Sequence, residues 1–276
     1  MTAPSPTRPA VAVMALHCSG SSGRQWEPLR ALLPAGIELH APDLIASGSG
    51  QTWPADATVT LDAEARRLVP WLQAHPGGVH LLGHSYGGAV ALQLALRWPR
   101  HVRSLTLFEP VRFALLHTAA DRELWRDITG VGHEICAHAR AGRLHESAER
   151  FVDYWSGEGT WARMTPSRRD ALAPRMTKVS AEFDALFGDG QATTAYARLA
   201  LPVHVMAGTR SPAPARRVAA VLAGLCPNAS LQRLDGLGHM GPLESPQRVA
   251  EELLRNIERR ESPSFGAIRE GLLHAA

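Results

Sequence analysis

Short apolar runs alternate with longer, helix-like segments along most of the chain. Each run is too short for a typical helix, so its length favours a buried strand. Strands that alternate with helices pair in parallel through βαβ units, so we expect an α/β fold with a mostly parallel sheet and helices on both faces. The predicted strands are Val11–Leu16, a run that begins at Ile37, Val79–Leu82, Val102–Phe108, Leu201–Gly208 and Ser230–Leu234.

The alternation is interrupted once, which divides the chain into parts. Residues 1–110 and 200–262 are predicted to form the first and second parts of the α/β core. Residues 111–199 mix polar and apolar positions and contain no convincing buried strand, so we expect a helical cap inserted between core strands. Residues 263–276 are expected to form a C-terminal tail, either a short helix or an unordered segment.

Composition and charge narrow the possible partners. With 45% hydrophobic and 20% charged residues, the chain has the composition of an ordinary globular protein. Its net charge is +3, and its arginines are scattered without interleaved aromatic residues, so nucleic-acid binding is not expected. We identify neither a membrane-spanning stretch nor a signal peptide. The expected partner is a small-molecule substrate.

The cysteine content bears on the compartment. Cys18, Cys136 and Cys226 are three in number and lack CxxC spacing. They therefore predict neither a disulfide framework nor a zinc site, and they favour a reducing, cytoplasmic environment.

A serine between two glycines lies where a predicted strand meets a predicted helix. Gly83-His84-Ser85-Tyr86-Gly87 fits the G-x-S-x-G pattern of a nucleophile elbow, in which a sharp turn presents the serine. The following helix would direct backbone N–H groups towards negative charge that develops beside Ser85. The alternative interpretation is a glycine-rich turn that carries an incidental serine.

A nucleophilic serine needs a base from elsewhere in the chain. His239 lies in a glycine-bounded segment after the last predicted strand and before the last predicted helix. Gly236 and Gly238 allow this loop to turn sharply, which would hold the imidazole over the strand ends. Among the histidines, we therefore predict His239 as the base.

Together these motifs resemble those of α/β-hydrolase-fold enzymes with a helical cap. The resemblance implies Ser85 as nucleophile, His239 as base, and an oxyanion hole formed by the backbone N–H groups of Tyr86 and Ser19. It implies no metal and no organic cofactor. The matching residues are His17-Cys18-Ser19-Gly20 with Trp26, Pro42-Asp43-Leu44, Gly83–Gly88, and Gly238-His239 with Pro242 and Glu244-Ser245-Pro246.

The chain departs from that family at two positions near the site. Cys18 stands where the family usually has glycine, and we interpret it as a small buried residue. Ser211 stands where most relatives carry the acid, and a hydroxyl cannot stabilise an imidazolium as a carboxylate does.

Glu109 is the predicted replacement for the missing acid. It follows the strand after the nucleophile helix, which is where some relatives carry their carboxylate. Alternatively, Glu109 caps a helix or pairs with Arg112, and Asp235 is a rival acid that also fits a turn.

Two further patterns in the predicted cap carry less weight. His133 and His138 are five residues apart rather than four, so they would point to different faces of a helix and not to one zinc ion. Four aromatic residues could line a substrate site or pack the cap on the core: Phe151, Tyr154, Trp155 and Trp161.

The sequence therefore predicts a serine-dependent hydrolase of a small or medium ester, or of a related acyl substrate, that works through an acyl-enzyme. Carbon–carbon bond hydrolysis and a cofactor-free perhydrolase reaction are alternatives on the same site. A third alternative is a ligand-binding relative with low turnover, since fold alone does not determine function.

Overall fold

The architecture of the chain is seen in a computed structural model that describes residues 10–48, 53–54 and 56–261. The predicted tail at 263–276 lies outside the described residues. Six strands form one sheet: β1 (Val11–Leu16), β2 (Ile37–His40), β3 (Val79–His84), β4 (Val102–Phe108), β5 (Val203–Gly208) and β6 (Ala229–Leu234).

The sheet has the order β2-β1-β3-β4-β5-β6, and each pairing is parallel. Parallel strands need crossover connections, and helices provide them here. The α-helices of the core are α1 (Glu27–Arg30), α2 (Leu61–Gln73), α3 (Tyr86–Arg97), α10 (Ala213–Leu225), α11 (Gly241–Glu244) and α12 (Pro246–Glu261).

The segment between β4 and β5 is helical, and we call residues 113–196 the helical insertion. Its α-helices are α4 (Arg122–Arg140), α5 (Leu144–Ser156), α6 (Thr160–Arg163), α7 (Pro166–Leu172), α8 (Met176–Phe187) and α9 (Thr193–Tyr196). Short 3₁₀ turns occur at Gly23–Trp26, Pro99–His101, Phe113–Leu116 and Ala173–Arg175.

Side chains that alternate along the strands divide the core between the two faces of the sheet. Met14 and Leu81 pack in a cluster with α2, α3, α10 and the helical insertion. Val13 and Leu82 pack in a second cluster with α1 and α12. This alternation is the expected period of two residues for a strand. The predicted α/β class, with helices on both faces of a parallel sheet, is confirmed.

Element ends differ from the sequence-based expectation by a few residues. Strand β3 continues to His84, two residues past its predicted end, and the helix after the elbow begins at Tyr86. The strand predicted from Leu201 begins at Val203, because Pro202 precedes it and lacks a backbone donor. Within the part of the chain that the structure describes, we find no helix of the length and hydropathy needed to cross a bilayer.

The only lysine of the chain forms an ion pair between the helical insertion and the core. Lys178 Nζ on α8 lies 2.8 Å from Glu64 Oε1 on α2 and 2.8 Å from Glu182 Oε1. All three side chains are almost completely buried. Burial lowers the pKa of Lys178, but the combined effect of the Glu182 and Glu64 carboxylates is larger. The pKa of Lys178 is therefore raised.

We expect Lys178→Met to destabilise the protein by roughly 3–5 kcal/mol, because two buried carboxylates lose their cation. Urea unfolding of the variant and the parent measures this loss. Arg66→Met is the matched control, since the Arg66–Asp62 pair is largely exposed and should contribute less than about 1 kcal/mol. Equal losses in the two variants would contradict the structural role of Lys178.

Several buried histidines favour their neutral form. They are His17, His80, His84 and His204. Burial is the main cause that lowers the pKa of each of them below the ordinary value of 6.5, and it lowers the pKa of His80 to about 3.

These pKa shifts predict a loss of stability in mild acid. Below about pH 6.5 these histidines bind protons in the unfolded chain but stay unprotonated in the folded chain. The free energy of unfolding therefore falls as pH decreases. Each histidine contributes up to about 1.4 kcal/mol per pH unit between its unfolded and folded pKa. Urea unfolding near pH 7.5 and pH 5 measures the change. Unchanged stability would contradict the shifts.

Candidate active site

Ser85 lies in a sharp turn between β3 and α3. Its backbone angles, φ 54° and ψ −119°, are unusual for a residue with a side chain. Neighbouring glycines make this turn possible. A Cβ at Gly83 would lie 2.6 Å from Gly88 Cα, and a Cβ at Gly87 would lie 2.3 Å from the Leu16 carbonyl oxygen. The turn therefore has the strand-to-helix context that the sequence predicts.

Helix α3 begins at Tyr86, directly after the serine. The N–H groups of a first helical turn lack partners within the helix and carry its positive end. The loop after β1 lies beside this helix start. A Cβ on Gly87 would lie 2.3 Å from the Leu16 carbonyl oxygen and 2.5 Å from the His17 carbonyl oxygen. Ser19 follows in the same loop. The loop that contains Ser19 therefore lies beside the start of α3.

Cys18 is buried in this loop, as the sequence predicts. Burial raises the pKa of its thiol to about 12, so the sulfur remains protonated near neutral pH. A protonated, inaccessible thiol is a poor nucleophile.

His239 lies at the same carboxyl end of the sheet as Ser85. It belongs to the loop after β6, and its Nε2 lies 2.9 Å from Ser85 Oγ. The imidazole is buried, with an exposed fraction of 2%. In this position Nε2 can accept the hydroxyl proton.

Glu109 completes a continuous hydrogen-bond chain. His239 Nδ1 donates to Glu109 Oε2 at 2.5 Å, and the Gly208 N–H donates to Oε1 at 2.7 Å. Glu109 is fully buried and has a positive φ of 45° directly after β4. Both carboxylate oxygens are therefore held, one by the imidazole and one by the end of β5.

The alternative roles considered for nearby residues are not observed. Arg112 does not pair with Glu109; its Nε lies 2.9 Å from Asp189 Oδ2 and 2.9 Å from the Tyr196 hydroxyl. Asp235 is exposed. Ser211 is buried, and among the described residues its hydroxyl has no hydrogen-bond partner.

One of the four aromatic candidates contacts the imidazole directly. The Trp155 ring of α5 lies 4.0 Å from the His239 ring, with 31° between the planes. Tyr154 packs edge-on against Trp155, and Trp161 packs against His145 within the insertion. The sequence pattern identified the group of aromatics but could not single out Trp155.

The two histidines of α4 serve packing and surface contacts. His133 is exposed and lies edge-on to Phe187, while His138 accepts a hydrogen bond from Arg143. Among the residues that the structure describes, no three His, Cys, Asp or Glu side chains form a group able to hold a metal ion.

The chain belongs to the alpha/beta hydrolase family. The family model matches residues 13–252, from within β1 to within α12. This membership confirms the resemblance that the sequence motifs suggested.

Curated relatives include two proteins that are named for ester cleavage. Lipase LipV of Mycobacterium tuberculosis is 39% identical over 106 residues, which are 38% of this chain and 39% of that protein. The chain spans less than two fifths of the length of the first curated relatives it matches. A pimeloyl-[acyl-carrier protein] methyl ester esterase of Aromatoleum aromaticum is 29% identical over 85% of this chain and 93% of that protein.

Solved structures share the fold at low identity. A hydrolase from Pseudomonas aeruginosa superposes with a TM-score of 0.72 at 22% identity, covering 90% of each chain. An esterase from Thermogutta terrifontis gives a TM-score of 0.65 at 19% identity, covering 92% of this chain and 91% of that one. Similarity at this level supports the fold alone.

Proposed function

We propose that this protein is a serine hydrolase of a small or medium carboxylic ester, or of a related acyl compound, that works through an acyl-enzyme. The observation that carries the proposal is the continuous hydrogen-bond chain from Ser85 Oγ through His239 to Glu109. Nucleophile, base and orienting carboxylate are the parts that activate a serine, and geometry identifies them rather than their order in the chain.

Acylation begins when Ser85 Oγ attacks the carbonyl carbon of the ester. Its proton passes to His239 Nε2, which lies within hydrogen-bond reach. Glu109 holds the imidazole through Nδ1 and stabilises the imidazolium that forms. When the tetrahedral intermediate collapses, the same proton moves from Nε2 to the departing alcohol.

The negative charge of the intermediate needs fixed donors. We assign this role to the backbone N–H groups of Tyr86, the first residue of α3, and of Ser19, in the loop after β1. The positive end of α3 adds to their effect. Donors that are already oriented need no rearrangement during the reaction, and each one contributes about 3 kcal/mol in comparable sites.

Deacylation repeats these steps with water as the nucleophile. His239 takes a proton from water, the hydroxide attacks the acyl carbonyl, and the proton returns to Ser85 Oγ as the acid leaves. The sequence of steps uses side chains and backbone groups of this chain alone, without a cofactor.

The enclosure of the site supports a substrate of limited size. Ser85 and His239 are only 5% and 2% exposed, and Trp155 covers one face of the imidazole. An acyl chain must therefore fit between the helical insertion and the carboxyl end of the sheet. This arrangement favours small or medium esters over polymeric ones, and we regard the insertion as a cap over the site.

The first test is the time course of p-nitrophenyl ester cleavage by the parent and by Ser85→Ala. We expect sustained release by the parent and none above the uncatalysed rate by the variant, because the variant has no nucleophile. A single burst that stalls would favour the ligand-binding alternative. Turnover by Ser85→Ala at the parent rate would contradict the proposal.

The acid is tested by a pair of substitutions at the strand ends. Glu109→Gln should lower kcat roughly 10²–10⁴-fold, because the amide cannot stabilise the imidazolium. Ser211→Ala should change kcat by less than about twofold, since its hydroxyl makes no hydrogen bond to the described residues. Steady-state kinetics on one ester measures both. Similar activities in the two variants would remove Glu109 from the mechanism.

A further inference from the structure

A second hydrogen-bond chain joins the backbone of Cys18 to the backbone of His239 through the side chains of Gln25 and His84. The Cys18 N–H donates to Gln25 Oε1 at 3.1 Å. Gln25 Nε2 lies 3.0 Å from His84 Nδ1, and His84 Nε2 lies 2.9 Å from the His239 carbonyl oxygen. The side chains of Gln25 and His84 are buried.

The direction of every bond in this chain is fixed by its two backbone ends. Since the Cys18 N–H can only donate, Gln25 must present its oxygen there and its NH₂ group to His84. His84 Nδ1 must then accept, so its proton resides on Nε2. This proton is donated to the His239 carbonyl oxygen, which can only accept. One tautomer of His84 satisfies the whole chain.

The chain connects three separate segments of the proposed site. Cys18 precedes the oxyanion donor Ser19, His84 precedes the nucleophile Ser85, and the third link is the backbone of the base itself. Glu109 holds the imidazole through Nδ1, and the side-chain partners that the structure gives it are His239 and the Gly208 N–H rather than the loop after β1. A network of fully satisfied buried polar groups rigidifies what it connects.

We propose that Gln25 and His84 are positioning residues that fix the oxyanion loop, the nucleophile and the base relative to one another. This inference rests on the proposed function. Displacement of a reacting group by about 1 Å costs roughly 10²-fold in rate. Loss of the network should therefore lower the rate of the chemical step while substrate binding changes little.

Burial is the main cause that lowers the pKa of His84 well below its usual range, and the nearby His239 adds to this effect. A neutral His84 is the form that the hydrogen-bond directions require, because a protonated ring would direct an N–H at the Gln25 amide.

A neighbouring histidine provides a matched control. His80 lies four residues earlier on β3 and is equally buried, but its ring nitrogens face Ser104 Oγ and Glu261 Oε1, at the other end of the strand. Replacement of His80 perturbs one buried and one partly buried hydrogen bond without touching the site. Any effect of general destabilisation should therefore appear in His80→Gln as well.

The experiment compares kcat and KM for one p-nitrophenyl ester among Gln25→Leu, His84→Asn, His84→Gln, His80→Gln and the parent, each corrected for its folded fraction. We expect Gln25→Leu and His84→Asn to lower kcat at least tenfold with KM within about twofold. His84→Gln should recover part of kcat, because its amide can still donate to the His239 carbonyl. His80→Gln should retain kcat within about twofold.

Kinetic results distinguish the two proposals. If the parent hydrolyses the ester through Ser85 while the Gln25 and His84 variants match His80→Gln, the positioning role is wrong and the proposed function stands. If Ser85→Ala is as active as the parent, the proposed function fails.

The network has a readout that does not depend on turnover. Nitrogen chemical shifts of the His84 ring, observed by NMR, should show a proton on Nε2 and none on Nδ1. The signal should change in Gln25→Leu and remain in Ser85→Ala. A proton on Nδ1 would overturn the inference even in an active enzyme.

Discussion

The hydrogen bond between His239 and Glu109 joins side chains 130 residues apart, and it depends on the parallel sheet. The carboxyl ends of parallel strands lie at one end of the sheet. Ser85 and Glu109, which directly follow β3 and β4, therefore meet His239 from the loop after β6. The end of β5 completes the arrangement through the Gly208 N–H, which holds the second oxygen of Glu109. A shift in the register between β4 and β5 would separate that donor from the carboxylate.

The backbone is strained at two of the residues that follow the carboxyl ends of these strands. Ser85 and Glu109 both have positive φ values, although neither is glycine. Such conformations cost about 1–3 kcal/mol each and persist only where the surrounding structure enforces them. Here the enforcing contacts are backbone hydrogen bonds to neighbouring strands, from Ser85 N–H to the Phe108 carbonyl and from Glu109 N–H to the Met206 carbonyl.

Much of this arrangement could be predicted because it depends on local signals. Short apolar runs identified the strands, and two glycines around Ser85 identified the turn. Glu109 could be proposed because some members of the family that the motifs resemble carry their carboxylate at the end of this strand. The same reasoning identified Ser211 as an unsuitable acid. That Glu109 lies beside His239 is an observation of geometry, whereas its role in catalysis stays a prediction.

Other contacts had no local signal. His84 occupies a variable position of the elbow motif, and its partners Gln25 and His239 are 59 and 155 residues away. Lys178 and Glu64 are 114 residues apart on helices whose relative placement no periodicity specifies. The contact between Trp155 and the imidazole depends on how α5 packs over the sheet edge. Hydrophobic spacing indicates which face of a helix is buried, but not which partner it meets.

The central claim is that His239 activates Ser85 for attack on a carbonyl-like centre. Mass spectrometry after treatment with a fluorophosphonate tests it most directly, since this reagent forms a stable bond with an activated serine. We predict one adduct per chain on the peptide that contains Ser85, and labelling that is strongly slowed in His239→Ala. An unlabelled protein, or an adduct on another residue, would contradict the account.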